Sequence, residues 1–180
     1  MTAMMTSVGA RFAAFWTCCR AAVASEFALI LPLGVVLLVG TSEIGTVLLA
    51  DRKVTRATHV GADLVAQVTS VTTSDLNDVF DAMEAIMQPL PSGAHLTISS
   101  IYHDPDTNAV SVDWSVSRNG GSNSGSFSLP SGLTEKGDSV IVAEVEYDYT
   151  PLFRDFILGD ITLGDIAYLK PRRTLRVIKN

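Results

Sequence analysis

Asp104, Asp106 and Asn108 have the residue types and the alternate spacing with which an EF-hand calcium loop begins. The rest of that loop is missing. Position 109 is Ala where the motif needs Gly, and position 115 is Ser where the motif needs a bidentate Glu. Pro105 and Thr107 complete a run of turn-forming residues. The pattern therefore favours a polar hairpin turn over a metal site.

The other residues that could do chemistry are few and scattered. His95 and His103 can face each other in a hairpin, but no third ligand accompanies them, so surface histidines are favoured. Glu144, Glu146 and Asp148 alternate along a predicted strand, which is typical of a solvated face more than of a catalytic pair. The sequence therefore predicts no enzyme, no metal site and no cofactor.

Composition excludes further classes of protein. Cys18 and Cys19 are adjacent and are the only cysteines, which excludes a disulfide framework and a cysteine-based zinc site. With 13 basic and 19 acidic residues, the 180-residue chain has a net charge of −6. Such an acidic chain is a poor candidate for contacts with nucleic acid phosphates. Apolar residues make up 47% of the chain, which argues against overall disorder.

A long apolar run dominates the N-terminal part. The 16 residues from Phe27 to Ser42 carry no charge, and the apolar character resumes after Glu43. A membrane-spanning helix needs about 20 mostly apolar residues, so the run predicts one span at about 24–49. Glu26 and Glu43 then lie near opposite edges of the hydrocarbon layer, where a carboxylate is less costly than at its centre. Pro32 is expected to kink the helix.

A secretory signal peptide is the main alternative to this span. Gly40 and Ser42 suit the small-residue rule for a cut before Glu43. The long charged region before the run, and a helical pattern that continues past the cut, argue against it. Orientation is not decided by charge, because two Lys or Arg residues flank one side and three flank the other.

Helical periodicity continues after the apolar run. One face is predicted to contain Val54, Ala57, Gly61, Leu64, Val65 and Val68. A second helix is predicted to begin with Ser74 as its N-cap and to end before Pro89. Its predicted apolar face contains Leu76, Val79, Phe80, Met83, Ile86 and Met87.

The period then changes from 3.6 residues to two. Strands are predicted from Leu96 to about Tyr102, from Val110 to Val116 and from Ile141 to Tyr149, with a last strand whose inward residues are Leu175 and Val177. The segment 154–166 receives no assignment. Five basic residues and no acid in 170–180 are interpreted as protection of a sheet edge. The expected fold class is α+β: a membrane helix extended into an amphipathic helix that covers a small antiparallel sheet.

Three segments together resemble a known family. The first is the run from Arg20 to Leu33, RAAVASEFALILPL, whose start resembles a class III-type prepilin processing site. The second is EIG at 43–45 with VTRATHVGADLVAQ from Val54, and the third is VEYDYTPLF followed by AYLKPRR near the C-terminus. Their order and spacing resemble the TadE-like family of the tight-adherence (Tad/Flp) pilus, from about Arg20 to Arg173.

The resemblance implies a minor pilus subunit, or pseudopilin, with a pilin-like fold in a bacterial inner membrane. Residues 1–21 would be a cytoplasmic leader, 22–50 the transmembrane helix and 51–180 a periplasmic α+β domain. A prepilin peptidase would cut between Ala21 and Ala22, although Ala stands where the family more usually has Gly. The implied partners are other pilus subunits, the Tad inner-membrane machinery and the lipid bilayer.

Glu26 has two interpretations. After cleavage, a charged α-amine at Ala22 would lie close to lipid, and Glu26 of a neighbouring subunit could neutralise it, because a paired charge is tolerated where a single one is costly. Alternatively, Glu26 is an interfacial glutamate that reaches water. The resemblance favours the first interpretation for Glu26, whereas the sequence favours the second for Glu43.

Three hypotheses about function therefore stand. The first is a pseudopilin that helps to assemble an adhesive pilus. The second is a membrane-anchored periplasmic domain that binds an envelope partner without entering a pilus. The third is a secreted protein that loses its apolar segment. They predict cleavage after Ala21, no cleavage, and cleavage after Ser42, respectively.

Overall fold

The structure is a computed structural model of the 180-residue chain. It describes residues 19–120, 129–130, 132–151 and 159–180, with side chains from residue 23 onward. The chain divides into two compact units, Met1–Ile44 and Gly45–Asn180. Most of the predicted leader, residues 1–18, lies outside the described residues.

Two helices and six strands occur within these described ranges. They are α1 Cys19–Ala66, β1 Ser70–Val71, α2 Thr73–Met87, β2 His95–His103, β3 Val110–Arg118, β4 Ser139–Tyr149, β5 Ile161–Leu169 and β6 Ile178–Lys179. A long N-terminal apolar helix followed by a small antiparallel sheet confirms the predicted α+β class.

Helix α1 has 48 residues and includes both the predicted span and the predicted amphipathic helix. Pro32 lies inside it. Apolar side chains from Val23 to Leu38 are exposed in every direction, with Leu29 at 79%. A helix that is apolar all round requires lipid or protein around it. Length and composition make this segment a candidate membrane anchor.

Helix α2 begins two residues earlier than the sequence predicted. Its N-cap is Thr72, not Ser74. The Thr72 hydroxyl accepts a hydrogen bond from the Asp75 amide at 3.2 Å, and the Asp75 carboxylate accepts one from the Thr72 amide at 2.8 Å. This reciprocal capping box satisfies two backbone donors, whereas a Ser74 cap would satisfy one. The bonds from Thr72 also hold the pKa of Asp75 below its ordinary value.

The main sheet has four antiparallel strands in the order β3-β2-β4-β5. Ile98 in β2 lies opposite Val116 in β3 and Ala143 in β4. Ala143 in turn lies opposite Ala167 in β5. Strand β5 begins in the segment that the sequence left unassigned, because Asp165 interrupts the apolar alternation of Leu163 and Ala167.

One apolar cluster joins the second half of α1, helix α2 and one face of the sheet. The largest fully buried side chains in it are Val54, Val65, Leu76, Phe80, Met83, Leu96, Ile98, Ile141 and Val145. Both predicted helices therefore cover the sheet. A Cβ at Gly61 would overlap Met83 Sδ, so the absence of a side chain permits the close approach of α1 to α2.

The assignment of two residues to the buried face of α1 is wrong. Leu64 and Val68 are 38% and 37% exposed. At 100° per residue, Leu64 lies about 80° around the helix from the buried Val54. Val68 follows the end of the helix at Ala66, so helical periodicity no longer applies to it.

The C-terminal segment forms no strand of the main sheet. Strand β6 pairs in parallel with β1, beside the end of α1. Val177 is fully buried as predicted, but Leu175 is 67% exposed, so its assignment as inward is wrong. Alternation fails here because β6 has only two residues, 178 and 179. Trp114 Nε1 donates a hydrogen bond to the Val177 carbonyl at 2.9 Å, which binds the segment to β3.

Candidate functional site

The predicted processing site lies at the start of α1. The helix begins at Cys19, so Ala21 and Ala22 belong to its first turn. A cut after Ala21 would therefore move the helix start by three residues and leave the apolar span whole. Amides of a first turn have no intrahelical acceptor, so the shortened helix would again begin with unpaired donors and a positive dipole end.

Glu26 follows Ala22 by four residues on the same helix. This spacing puts both residues on one face, about 6 Å apart along the axis. The Glu26 side chain is exposed, and helical side chains lean towards the N-terminus. The carboxylate is therefore open to a neighbouring group and directed towards the end where the new amine would form.

Glu43 lies far from Glu26. The two are 17 residues apart, or about 26 Å along the helix axis, so the structure does not bring the two carboxylates together. This distance is close to the thickness of the hydrocarbon core, about 30 Å. The Glu43 side chain is 3% exposed, unlike the open Glu26. The sequence could have indicated that Glu43 is buried. Position 43 lies one helical turn before Val47 and continues the spacing of Val47, Ala50 and Val54 on one helix face.

The possible calcium loop is a hairpin turn between β2 and β3. Asp104 Oδ1 accepts hydrogen bonds from the amides of Asp106 and Thr107 at 2.8 and 3.4 Å, and Asn108 adopts a positive φ of 55°. These backbone bonds lower the pKa of Asp104. The side chain thus closes the turn on itself. Within the described ranges, no group of three or more potential ligands could hold a metal ion.

The two histidines do not face each other. His95 and His103 are the first and last residues of β2, about 26 Å apart at 3.3 Å per residue. They do not meet across a hairpin, because both belong to one strand. His95 Nδ1 contacts the Asn119 carbonyl, and His103 Nε2 lies 3.4 Å from Asn108 Oδ1.

The acidic row of β4 lies on the side of the strand opposite the core, as predicted. Glu146 and Asp148 are exposed, and Asp148 accepts a hydrogen bond from the Thr162 hydroxyl at 2.8 Å across the sheet. Glu144 is half-buried. Burial, together with the nearby Glu146 charge, raises the pKa of Glu144.

The basic C-terminal segment is largely engaged within the chain. Lys170 pairs with Asp138 at 3.3 Å, and Arg172 pairs with Asp63 at 2.6 Å. Arg176 binds both carboxylate oxygens of Asp113, which raises its pKa. Three of the five cations therefore attach the C-terminus to its own domain, and this corrects their interpretation as edge-strand protection.

Comparison with known proteins gives a family match within α1. A family model described as TadE-like protein matches residues 21–63. No curated protein and no solved structure gives a significant match. The matched segment contains Ala21, Ala22, Glu26, Glu43 and the start of the amphipathic half of α1. The match confirms, over this segment, the resemblance seen in the sequence: residues 21–63 of this chain are similar to TadE-like proteins.

Proposed function

We propose that this protein is a minor pilus subunit, a pseudopilin that acts in the assembly of a Tad/Flp adhesive pilus. The observation that carries the proposal is Glu26, an exposed carboxylate one helical turn after Ala22, inside the TadE-like match and at the start of an apolar helix. The role is structural, without catalysis or a cofactor.

The exposed apolar helix supports assembly. Side chains such as Phe27, Leu33 and Leu38 are 61–73% exposed in the single chain. Before assembly, lipid covers them; in a filament, the same helices of neighbouring subunits replace the lipid. Because lipid tails and apolar side chains are equally apolar, this exchange gives little net hydrophobic gain. Specific polar contacts must therefore fix the register between subunits.

Glu26 supplies such a contact. After cleavage, the α-amine of Ala22 carries a positive charge near lipid, where an unpaired charge is costly. Pairing with Glu26 of the adjoining subunit neutralises both charges, and it is possible at only one axial offset between the two helices. The proposed partners are accordingly a prepilin peptidase, other pilus subunits and the Tad inner-membrane machinery.

The proposed topology has the N-terminus in the cytoplasm and residues 51–180 in the periplasm of a bacterial inner membrane. An alkaline phosphatase reporter fused after Asn180 is expected to be active, because this enzyme folds only in an oxidising compartment. The same reporter fused before Arg20 is expected to be inactive. The opposite pattern of activities contradicts the pilin proposal.

Processing provides a second test. We expect the mature protein to begin at Ala22 and to remain in the membrane after carbonate extraction. Replacing Ala21 with a bulky residue such as Phe should block cleavage without affecting insertion, since the span is unchanged. N-terminal sequencing distinguishes the alternatives. Mature chains that begin at Met1 support an uncleaved envelope-binding anchor, and chains that begin at Glu43 support a secreted protein.

A further inference from the structure

The outward face of α1 just beyond the apolar span is the strongest remaining feature. It presents Leu48 and Leu49, which are 55% and 58% exposed, followed by the exposed Arg52 and Arg56. We propose that Arg52 and Arg56 form a binding site for the phosphate groups of anionic phospholipids at the membrane surface. The proposal rests on the membrane span of the proposed function and is independent of a pilus.

Helix geometry aligns the four side chains. At 100° per residue, Arg52 and Arg56 lie about 40° apart around the axis, and Leu48 and Leu49 lie within about 40° of that line. The fully buried Val54 lies about 160° from each arginine. Both guanidinium groups therefore point away from the protein core. On this face of the helix, the apolar surface is followed directly by a basic surface.

The two arginines have no partner within the described part of the chain. Among the described residues, neither makes an ion pair or a hydrogen bond, whereas Arg118, Arg172 and Arg176 each bind a carboxylate. Lys53, between them in sequence, donates to the Gln88 carbonyl. Asp51 is exposed, but it lies about 100° around the helix from Arg52, on the flank of the basic face. The basic face is therefore open to an external anion.

The distances of Arg52 and Arg56 from the end of the span place them at the depth of the lipid headgroups. Arg52 and Arg56 lie about 4.5 and 10 Å beyond Leu49 along the axis, and the headgroup layer is roughly 5–8 Å thick on each side. Helical side chains lean towards the N-terminus, so both long side chains extend back towards the bilayer. A planar guanidinium binds a phosphate with two parallel hydrogen bonds, which makes arginine a suitable ligand for phospholipid phosphates.

Charge on the rest of the chain makes this contact selective. Residues 57–180 carry eight Lys or Arg residues and sixteen Asp or Glu residues, a net charge of −8. An anionic membrane repels such a segment. The basic face at 52 and 56 is the part next to the bilayer that attracts anionic headgroups, and it binds them in preference to zwitterionic ones.

A local measurement of lipid preference tests the proposal. The probe is the full chain with Trp16→Phe and Leu49→Trp, reconstituted in mixtures of phosphatidylcholine and phosphatidylglycerol, with one lipid brominated in each series. The emission of the buried Trp114 is subtracted with a Trp16→Phe chain that keeps Leu49. Quenching of the tryptophan at position 49 gives the relative binding constant of the two lipids beside Arg52. Each cation near an anionic surface strengthens attraction by roughly 5-fold. We expect the preference for phosphatidylglycerol to fall about 5- to 25-fold in Arg52→Gln/Arg56→Gln.

Arg173→Gln is the matched control. Arg173 is exposed and makes no ion pair among the described residues, but it lies outside α1. Its substitution should leave the lipid preference unchanged, and added salt should weaken the preference of the parent protein. A double variant that remains inserted yet retains the full preference overturns the proposal. An equal loss in Arg173→Gln also overturns it, because the effect would then reflect overall charge. Normal pili in the double variant leave the proposed function intact.

Discussion

Glu26→Gln is expected to leave membrane insertion, cleavage and protein level intact and to reduce assembled pili about a hundredfold. A neutral amide enters lipid more easily than a carboxylate, so the substitution does not hinder the span itself. It does leave the α-amine of a neighbouring Ala22 unpaired in a seam of low dielectric constant. Breaking one side of a buried pair costs about 3–5 kcal/mol, and even about 2.7 kcal/mol corresponds to that hundredfold shift.

The measurement is the amount of sheared surface pili in cells that carry only the variant, together with N-terminal sequencing of the membrane fraction. Glu26→Asp is the matched control, since it keeps the charge and shortens the side chain by one methylene. It should retain part of the piliation. Normal piliation with Glu26→Gln, when cleavage is verified, would return Glu26 to the interpretation as an interfacial glutamate.

Deletion of residues 171–180 is expected to destabilise the Gly45–Asn180 unit by more than about 3 kcal/mol. The deletion exposes the site of Val177, whose burial contributes about 1.5–3 kcal/mol. It also leaves Trp114 Nε1 without its acceptor, at a cost of about 1–3 kcal/mol. The ion pair between Arg172 and Asp63 and the pairing of β6 with β1 are lost as well.

Urea unfolding of the full chain in detergent, followed by near-ultraviolet circular dichroism, measures this loss. Two point variants refine the result. Val177→Ala should be clearly destabilising, because Val177 is fully buried, whereas Leu175→Ala should be nearly silent, because Leu175 is 67% exposed. Equal effects of the two substitutions would contradict the placement of the C-terminal segment.

Elements with a strong period could be predicted from the sequence. The alternation around Val145 and the apolar spacing around Phe80 predicted β4 and α2, because a residue that must be buried recurs with the period of its own element. Strand β5 could not be predicted, since Asp165 occupies a position that faces α1, where it lies 3.8 Å from His59. A carboxylate at an inward position breaks the apolar alternation by which a strand is predicted.

The N-cap of α2 was predicted at the wrong residue, although the sequence contained the information needed. Ser74 and Thr72 are both good N-cap residues by type, so composition does not choose between them. The choice follows from Asp75, which stands three residues after Thr72 and completes a reciprocal capping box with it. The capping-box pattern was therefore visible in the sequence. In the structure it outweighs the preference for the N-cap residue nearest the apolar run.

The features of the candidate site also differ in whether the sequence alone determines them. The sequence by itself determined the apolar helix, the position of Glu26 one turn after Ala22 and the family resemblance, because these depend on residue types and spacing along one helix. Only the tertiary structure decided which cations are neutralised. Asp63 and Asp113 are distant in sequence from Arg172 and Arg176, and the fold brings each pair together. Arg52 and Arg56 remain open because charge pairing depends on distance in space, and neither forms an ion pair with a carboxylate among the described residues.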